Sequence, residues 1–139
     1  MYVGCQGGGG IIYRIDALTG AKLDSFSTPN GFDKDLNAVS GVLHYISGSN
    51  NIEMLITTTR EISTVITNPA PGIVYFYGYG LEPFGGDHYV LDAGNFSVEG
   101  KLYIYSSQGV LKKTFTTGVA PRRVIFKKGI ASGGSWKPI

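Results

Sequence analysis

A repeat of roughly 44 residues is the feature of this sequence that most constrains its fold. Three short aromatic segments resemble one another, and their tyrosines, Tyr2, Tyr45 and Tyr89, are 43 and 44 residues apart. Each segment is followed by a run rich in glycine, asparagine and serine, then by two further strand-like runs, and finally by a connector that carries proline. Four-stranded propeller blades typically repeat every 40–45 residues or so. The sequence therefore predicts repeats of four short strands.

The strands are predicted from alternation and composition. In the runs 22–26 and 102–105, successive side chains point to opposite faces, which is the period of a strand. Glycine supplies 21 of the 139 residues, too many for a helical chain, because each interior glycine costs a helix about 1 kcal/mol. Aromatic residues make up 12% of the chain, so it has too much apolar material to be disordered. We expect an all-β domain with almost no helix.

The repeats predict β-propeller blades, each of four short antiparallel strands. The chain provides three such four-stranded blades at about 1–28, 29–68 and 69–118 and a closing strand at 121–128. A propeller ring needs at least about four blades, so we expect a partial propeller or a ring closed by oligomerisation. Residues 129–139 are predicted to be a flexible tail, with Trp136 as a partner-docking anchor in the alternative.

The third repeat carries a family resemblance. The run 92–105, followed by 108–121, resembles the YncE-like, quinoprotein-type β-propeller repeats of bacterial exported and cell-surface proteins, and 12–22 is similar to the same repeat. The middle repeat fits only in outline, since 58–61 replaces the Asp-x-x-Thr-Gly turn. The resemblance implies a propeller in an extracellular, cell-surface or periplasmic parent protein. It also implies the strand order B-C-D, A-B-C-D, A-B-C-D and a final A, in which the proline-led strand is the innermost strand A. Members of this class include surface lipoproteins that capture cobamides and other nutrients.

Charge and cysteine content argue against several functional classes. The formal net charge of +2 is too small for a nucleic-acid footprint, and we expect no nucleic-acid partner. No apolar run approaches the ~18 residues that span a bilayer, and the amino terminus lacks the basic region of a signal peptide. The single cysteine allows no internal disulfide or cysteine metal cluster. With no nucleophile motif either, we expect a non-enzymatic protein without a cofactor.

Two weaker motifs are candidates for chemical sites. Asp33, Asp35 and Asn37 resemble the start of a calcium loop, but Ala38 and His44 stand where that loop needs glycine and glutamate. An asparagine- and aspartate-rich turn explains the same residues. His44 and His88 occupy matching positions before the repeated tyrosine, and we interpret them as half-buried strand residues, not as ligands. We therefore predict no metal site.

The predicted binding face lies on the loops that precede strand A and follow strand B, which share one face of a propeller. An aromatic rim with amide and guanidinium groups suits a flat ligand such as a sugar or a corrin ring. The candidate residues are Asn30, Asn50, Asn51, Asn68, Phe96, Arg122 and Arg123.

The sequence thus predicts a ligand-binding propeller module, with nutrient capture (a cobamide or a glycan) as the possible role. The alternative is a structural fragment that oligomerises through open blade edges and binds no small ligand. In either case we expect the chain to self-associate or to belong to a longer propeller, because open strand edges invite pairing.

Overall fold

The chain folds into β-strands joined by short turns. The computed structural model describes residues 1–128 and 136–138. Within that part the only helical element is a single 3-10 turn at Gly7–Gly9. The strands are β1 (Tyr2–Cys5), β2 (Ile11–Ile15), β3 (Lys22–Ser27), β4 (Lys34–Val39), β5 (Val42–Ile46), β6 (Ile52–Ile56), β7 (Ile62–Ile66), β8 (Phe76–Leu81), β9 (His88–Asp92), β10 (Glu99–Tyr105), β11 (Leu111–Val119), β12 (Phe126–Lys128) and β13 (Trp136–Pro138).

The strands form three antiparallel sheets in chain order. These are β1-β2-β3, β4-β5-β6-β7 and β8-β9-β10-β11, and β12 pairs with β13 alone. The prediction of an all-β chain built from antiparallel sheets is confirmed. Strands β1 to β12 follow the order of the predicted runs, and β13 lies within the predicted tail, whose residues 129–135 and 139 are outside the described part. The chain divides into two compact units, Met1–Thr67 and Asn68–Ile139.

The first unit is held together by two sheets that pack face to face. Phe32 lies in the connector between β3 and β4, with its ring tilted by 42° against the Tyr45 ring at 5.6 Å between ring centres. It also lies against Gly4, where any side chain would collide with it. Burial of this much apolar surface is the main stabilising contribution to the unit. The core consists of Ile12 and Phe26 from the first sheet, Leu43, Tyr45 and Leu55 from the second, and Phe32 between them.

In the second unit, the connector after β11 lies along one face of the β8–β11 sheet. Two glycines of β8, Gly78 and Gly80, leave room for it. The backbone carbonyl of Arg122 contacts Gly78, and the Phe126 ring lies over Gly80 and meets the Tyr89 ring edge-on at 5.0 Å. Gly78 is therefore explained by a close approach of backbone that excludes a Cβ, and Gly80 by the tight packing of the Val124 and Phe126 side chains.

The β2–β3 and β6–β7 hairpins share one turn geometry although their sequences differ. The amide of Gly20 donates to the Asp16 carbonyl at 2.9 Å, and the amide of Arg60 donates to the Ile56 carbonyl at 2.8 Å. Gly20 has φ +73°, and Arg60 takes the same left-handed conformation with φ +65°. The middle repeat therefore has the same turn as the first, although arginine replaces glycine at its left-handed position.

Aligning the repeats on these turns corrects the predicted equivalences. Tyr2 pairs with Arg14, which lies two residues before Asp16, the first residue of the β2–β3 turn. Tyr89 pairs with Ile104, which lies two residues before Ser106, the first residue of the β10–β11 turn. In the middle sheet that position is Met54, whose partner is His44 and not Tyr45. A one-residue offset moves a side chain to the opposite face of a sheet. The prediction that Tyr45 is equivalent to Tyr2 and Tyr89 is therefore wrong.

The same offset separates the two histidines. His88 pairs with Tyr105, the residue directly before its turn, so it lies on the opposite face to the one that His44 occupies in its own sheet. The predicted match between His44 and His88 is wrong, because their cross-strand partners lie at different distances from the hairpin turn: Met54 is two residues before Ile56, and Tyr105 is one residue before Ser106. Sequence spacing alone misses this, since it counts residues in the loops as well as in the strands.

Arg60 also joins the two sheets of the first unit. Its Nη2 donates to both carboxylate oxygens of Asp24 at 2.8 and 2.7 Å, and its guanidinium carbon lies 4.7 Å from the centre of the Phe26 ring. The hydrogen bond from this guanidinium holds the pKa of Asp24 below its usual value. The strained turn thus positions a side chain that connects the β6–β7 turn to β3.

Two substitutions of Arg60 separate the strained backbone from the bridge. Arg60→Gly and Arg60→Ala both remove the bridge, but only glycine relieves the left-handed conformation, which costs an L-residue about 1–2 kcal/mol. We expect Arg60→Ala to unfold at lower urea concentration than Arg60→Gly, by about 1 kcal/mol in free energy of unfolding. Equal stability of the two variants would contradict the assigned turn.

Candidate ligand-binding site

Three aromatic side chains of the second unit form a cluster next to an arginine. Phe96 lies edge-on to Tyr77 at 4.9 Å between ring centres and 5.6 Å from Tyr75, and the two tyrosine rings are 6.0 Å apart. The guanidinium carbon of Arg122 lies 5.3 Å from the centre of the Tyr77 ring. We call these four residues, Tyr75, Tyr77, Phe96 and Arg122, the aromatic cluster.

Asp92, at the end of β9, fixes the loop that carries the cluster. Its Oδ1 accepts hydrogen bonds from the backbone amides of Tyr75 and Gly94, at 2.9 and 2.8 Å. Its Oδ2 accepts one from the Tyr103 hydroxyl at 3.1 Å. Burial, together with the nearby carboxylate, raises the pKa of Tyr103 to about 12, so the phenol remains a donor. Asp92 therefore ties the start of β8 to the loop after β9.

Phe96 is held in a strained and exposed conformation. Its φ is +66°, which costs a residue with a Cβ about 1–2 kcal/mol, and its side chain is 45% exposed. The amide of Phe96 donates to the Ala93 carbonyl at 2.8 Å, which closes the turn. Strain of this kind concentrates at functional sites, where the surrounding structure maintains it. The turn thus holds the Phe96 ring partly in solvent, beside the Tyr75 and Tyr77 rings.

Asn68 supports the cluster from the connector before β8. Its Oδ1 accepts from the Ala70 amide at 3.0 Å, and its Nδ2 donates to the Val74 carbonyl at 2.9 Å. Asn68 is 5% exposed, so it organises the connector that leads to Tyr75 and does not present its amide to solvent. The connector ends where β8 begins, at Phe76. Arg123, the other predicted residue of this unit, is exposed.

The predicted asparagines of the first unit lie in a second group. Asn30 donates through Nδ2 to Glu53 Oε1 at 2.7 Å, and its backbone carbonyl lies against Gly48. Asn50 has φ +58° in the turn between β5 and β6, and its amide donates to the Ser47 carbonyl at 2.9 Å. Asn51 closes the same turn, because its carbonyl accepts from the Ser47 amide. The seven predicted residues thus divide between the two units.

The candidate calcium residues are engaged with one another and with their neighbours. Asp33 pairs through Oδ2 with the Lys34 ammonium at 3.1 Å and accepts from Gln6 Nε2 through Oδ1 at 3.0 Å. Asn37 donates to the Asp35 carbonyl at 3.0 Å. In the part of the chain that the structure describes, no three His, Cys, Asp or Glu side chains are grouped to hold a metal ion. Asp35 and Asn37 lie at an irregularity in the pairing of β4 with β5, and not in the turn that the sequence suggests.

Two buried polar groups were missed in the sequence. Glu53 is fully buried and accepts from Asn30 and from the Tyr45 hydroxyl at 3.2 Å. The available signal was a single glutamate inside the apolar run 52–56. Tyr79 and His88 form a buried pair, with the Tyr79 hydroxyl 2.7 Å from His88 Nδ1. Their partnership depends on cross-strand register, which no spacing rule reveals.

Comparison with known proteins adds no relative. No protein-family model matches the chain, and no curated protein matches it significantly. The YncE-like resemblance therefore stays a prediction. Among the described residues, no helix is long and apolar enough to cross a membrane.

Proposed function

We propose that this protein is a non-enzymatic ligand-binding module, and that the aromatic cluster is its binding surface. The observation that carries the proposal is Phe96, a half-exposed phenyl ring held in a left-handed turn beside Tyr75 and Tyr77. The Phe96 ring is 45% exposed and so contributes only part of its surface to packing. The left-handed backbone conformation also costs a residue with a Cβ about 1–2 kcal/mol. A contact with a ligand gives both features a purpose.

The cluster favours a ligand with a flat apolar face and polar substituents at its edge. Aromatic rings provide apolar contact area, and a guanidinium donates directional hydrogen bonds to oxygen atoms or negative groups. Arg122 lies over Tyr77 and so places such a donor at the side of the aromatic surface. A corrin ring with amide side chains and a glycan ring with hydroxyl groups both have this chemistry, and we propose a cobamide or a glycan as the ligand class.

The sheets are proposed to be blades of a β-propeller. Three features support this arrangement: each sheet is an antiparallel meander in chain order, the turn of the β2–β3 hairpin recurs in the β6–β7 hairpin, and the two sheets of the first unit pack face to face. An exported or cell-surface parent protein is proposed on the sequence resemblance alone. A fold of this kind hosts many functions, so the function is argued from the cluster.

Paired variants test the ligand proposal. Phe96→Ala and Arg122→Ala should each weaken binding of a cobamide or an oligosaccharide by about fivefold or more, since the loss of an anchoring contact costs upward of about 1 kcal/mol. Phe84→Ala is the matched control, because Phe84 is a 63% exposed loop phenylalanine of the same unit outside the cluster. Binding is measured by calorimetry against a panel of both ligand classes, with melting temperatures recorded alongside.

Three results separate the possibilities. Weakened binding in both cluster variants, with the control unchanged, supports the proposal. Unchanged affinity in Phe96→Ala and Arg122→Ala would remove the aromatic cluster from consideration. Absence of binding by the parent chain across the whole panel would favour the second candidate, a structural module that assembles through its sheets, for which the open sheet face of the second unit is the specific observation.

A further inference from the structure

The β8–β11 sheet has an open groove on one face. The groove encloses about 470 Å³ and has an apolar floor with charged groups at its rim. Phe115, on the outermost strand β11, is 48% exposed there. At the rim, the Lys112 ammonium lies 2.7 Å from a carboxylate oxygen of Asp87. The lining residues of this end groove are Asp87, Tyr89, Leu102, Ile104, Lys112, Lys113 and Phe115.

The first sheet shows what covers such a face. Phe26 pairs with Ile12 across β2 and β3, just as Phe115 pairs with Leu102 across β10 and β11. Phe26 is 4% exposed and Ile12 is fully buried, because the β4–β7 sheet packs over them. The equivalent face of β8–β11 therefore has the shape and chemistry to receive a further sheet of the same kind.

One side of this face of the β8–β11 sheet is covered by residues of the same chain. The backbone of Arg122 packs on Gly78, and Phe126 packs on Gly80 and Tyr89. The end groove lies beside them and continues across β10 and β11. An occupant of the groove would extend an interface that the chain itself starts.

The first sheet carries a surface that matches this requirement. Along β1 and β2 its outer face, opposite the core, is apolar and only partly buried, and Val3 there is 36% exposed. On β3 the same face carries Ser25 and Ser27, and the Lys22 ammonium lies 4.7 Å from the centre of the Tyr13 ring. By register, Val3 opposite Tyr13 corresponds to Tyr45 opposite Glu53, and Tyr45 lies on the side of β4–β7 that covers the first sheet. The residues of β1 and β2 on this outer face are Val3, Cys5, Ile11, Tyr13 and Ile15.

We propose that the protein associates head to tail, with the outer face of β1–β3 in one copy docking into the end groove of a second copy. Each chain carries both halves of one interface, and in the described residues each half resembles a surface that is covered inside the first unit. An apolar centre with a charged rim is the usual anatomy of a protein interface. The proposal is independent of the ligand, because none of its residues belongs to the aromatic cluster.

Two lysine substitutions test the two halves separately. Phe115→Lys places a third ammonium beside Lys113 in the end groove, and Val3→Lys places a charge on the outer face of the first sheet. Each should abolish association at concentrations where the parent chain associates, because an unpaired charge is not tolerated in a closely packed apolar interface. Leu18→Lys is the control, since Leu18 is 97% exposed in the β2–β3 turn and belongs to neither surface.

Mixing the two variants gives the decisive result. The Phe115→Lys copy keeps an intact outer face, and the Val3→Lys copy keeps an intact end groove. Sedimentation velocity on the equimolar mixture should therefore show dimers of one copy of each, although neither variant associates alone. An interface that joins two identical surfaces would not be restored in this way.

Several outcomes would overturn the proposal. They are a parent chain that stays monomeric at every concentration, variants that associate as well as the parent, and a mixture that stays monomeric. Circular dichroism and thermal melting establish that each variant is folded. If a lysine variant does not fold, Phe115→Ser and Val3→Ser replace it in the same mixing experiment, and both sites are exposed enough to accept a small polar residue.

Discussion

Replacement of Glu53 by alanine is expected to lower the free energy of unfolding by about 2–4 kcal/mol. Glu53 is fully buried on β6, and its two carboxyl oxygens accept hydrogen bonds from Asn30 and Tyr45. Alanine leaves the fully buried Tyr45 hydroxyl without its acceptor and opens a cavity in the core. An unsatisfied buried donor alone costs about 1–3 kcal/mol.

Matched variants divide this loss into its parts. Glu53→Gln keeps the shape but turns one acceptor into a donor, so it should cost less than alanine. Tyr45→Phe removes only the hydroxyl. In the double variant Glu53→Leu with Tyr45→Phe, both groups of that hydrogen bond are apolar, and the combined loss should be smaller than the sum of the single losses.

Urea unfolding of the set measures these differences. If the free energy of unfolding of Glu53→Ala lies within about 1 kcal/mol of the parent value, the Glu53 carboxyl does not make the buried hydrogen bonds with Asn30 and Tyr45. A double variant whose losses simply add would show that Glu53 and Tyr45 are not coupled. Either result would contradict the hydrogen bonds assigned to this position.

The order of strands was predictable because it depends on short-range signals. Alternating apolar residues, glycine-rich interruptions and proline connectors mark each run, and β1 to β12 follow them in order. Register was not predictable, because it depends on which residues face each other across two strands. The offset between Tyr2 and Tyr45 shows this: sequence spacing aligns them, whereas the cross-strand partners place them on opposite faces of their sheets.

Turn conformation was only partly readable for a related reason. Thr19-Gly20 announces a left-handed position, because glycine adopts it without strain. Arg60 fills the same position with φ +65° and gives no such signal. Its long side chain compensates by reaching Asp24 and Phe26, which are distant in sequence and close in the fold.

The sequence identified the loop residues of the candidate site, but not the partners that hold those residues in place. Phe96 and Arg122 were selected from their loops, and the structure connects both to Tyr77. Asn30 was selected as a surface amide, but it is committed to Glu53. A loop position says that a side chain is available, whereas its partner is fixed by tertiary contacts that bring distant residues together.

The second large effect is a loss of stability in mild acid that depends on His88. His88 is 1% exposed, and its Nε2 lies 3.3 Å from the Ser107 carbonyl, which accepts only. The proton of the neutral ring therefore lies on Nε2, and Nδ1 accepts from the Tyr79 hydroxyl at 2.7 Å. Burial lowers the pKa of His88, and the opposing effects of the Ser107 carbonyl and the Asp87 charge are smaller.

The direction of the pH effect follows from this lowered pKa. In the unfolded chain the imidazole takes up a proton as the pH falls through about 6.5, whereas the folded chain resists until the pH reaches its lower pKa. Between these two values the unfolded state holds more protons, so the free energy of unfolding falls with decreasing pH, by up to about 1.4 kcal/mol per unit for one group. Above pH 7 the contribution is fully present.

Urea unfolding at a series of pH values from about 7.5 to 5 measures this slope. His88→Phe removes the titrating group and should flatten the curve in that range, although its stability at pH 7.5 will fall because the Tyr79 hydroxyl loses its acceptor. His88→Phe with Tyr79→Phe restores the match of apolar groups and should keep the flat curve with a smaller loss. Phe84→Ala is the control, since Phe84 is a 63% exposed loop residue of the same unit that carries no titrating group, and this variant should retain the parent slope. A parent curve as flat as that of His88→Phe would show that His88 is not held neutral by its burial.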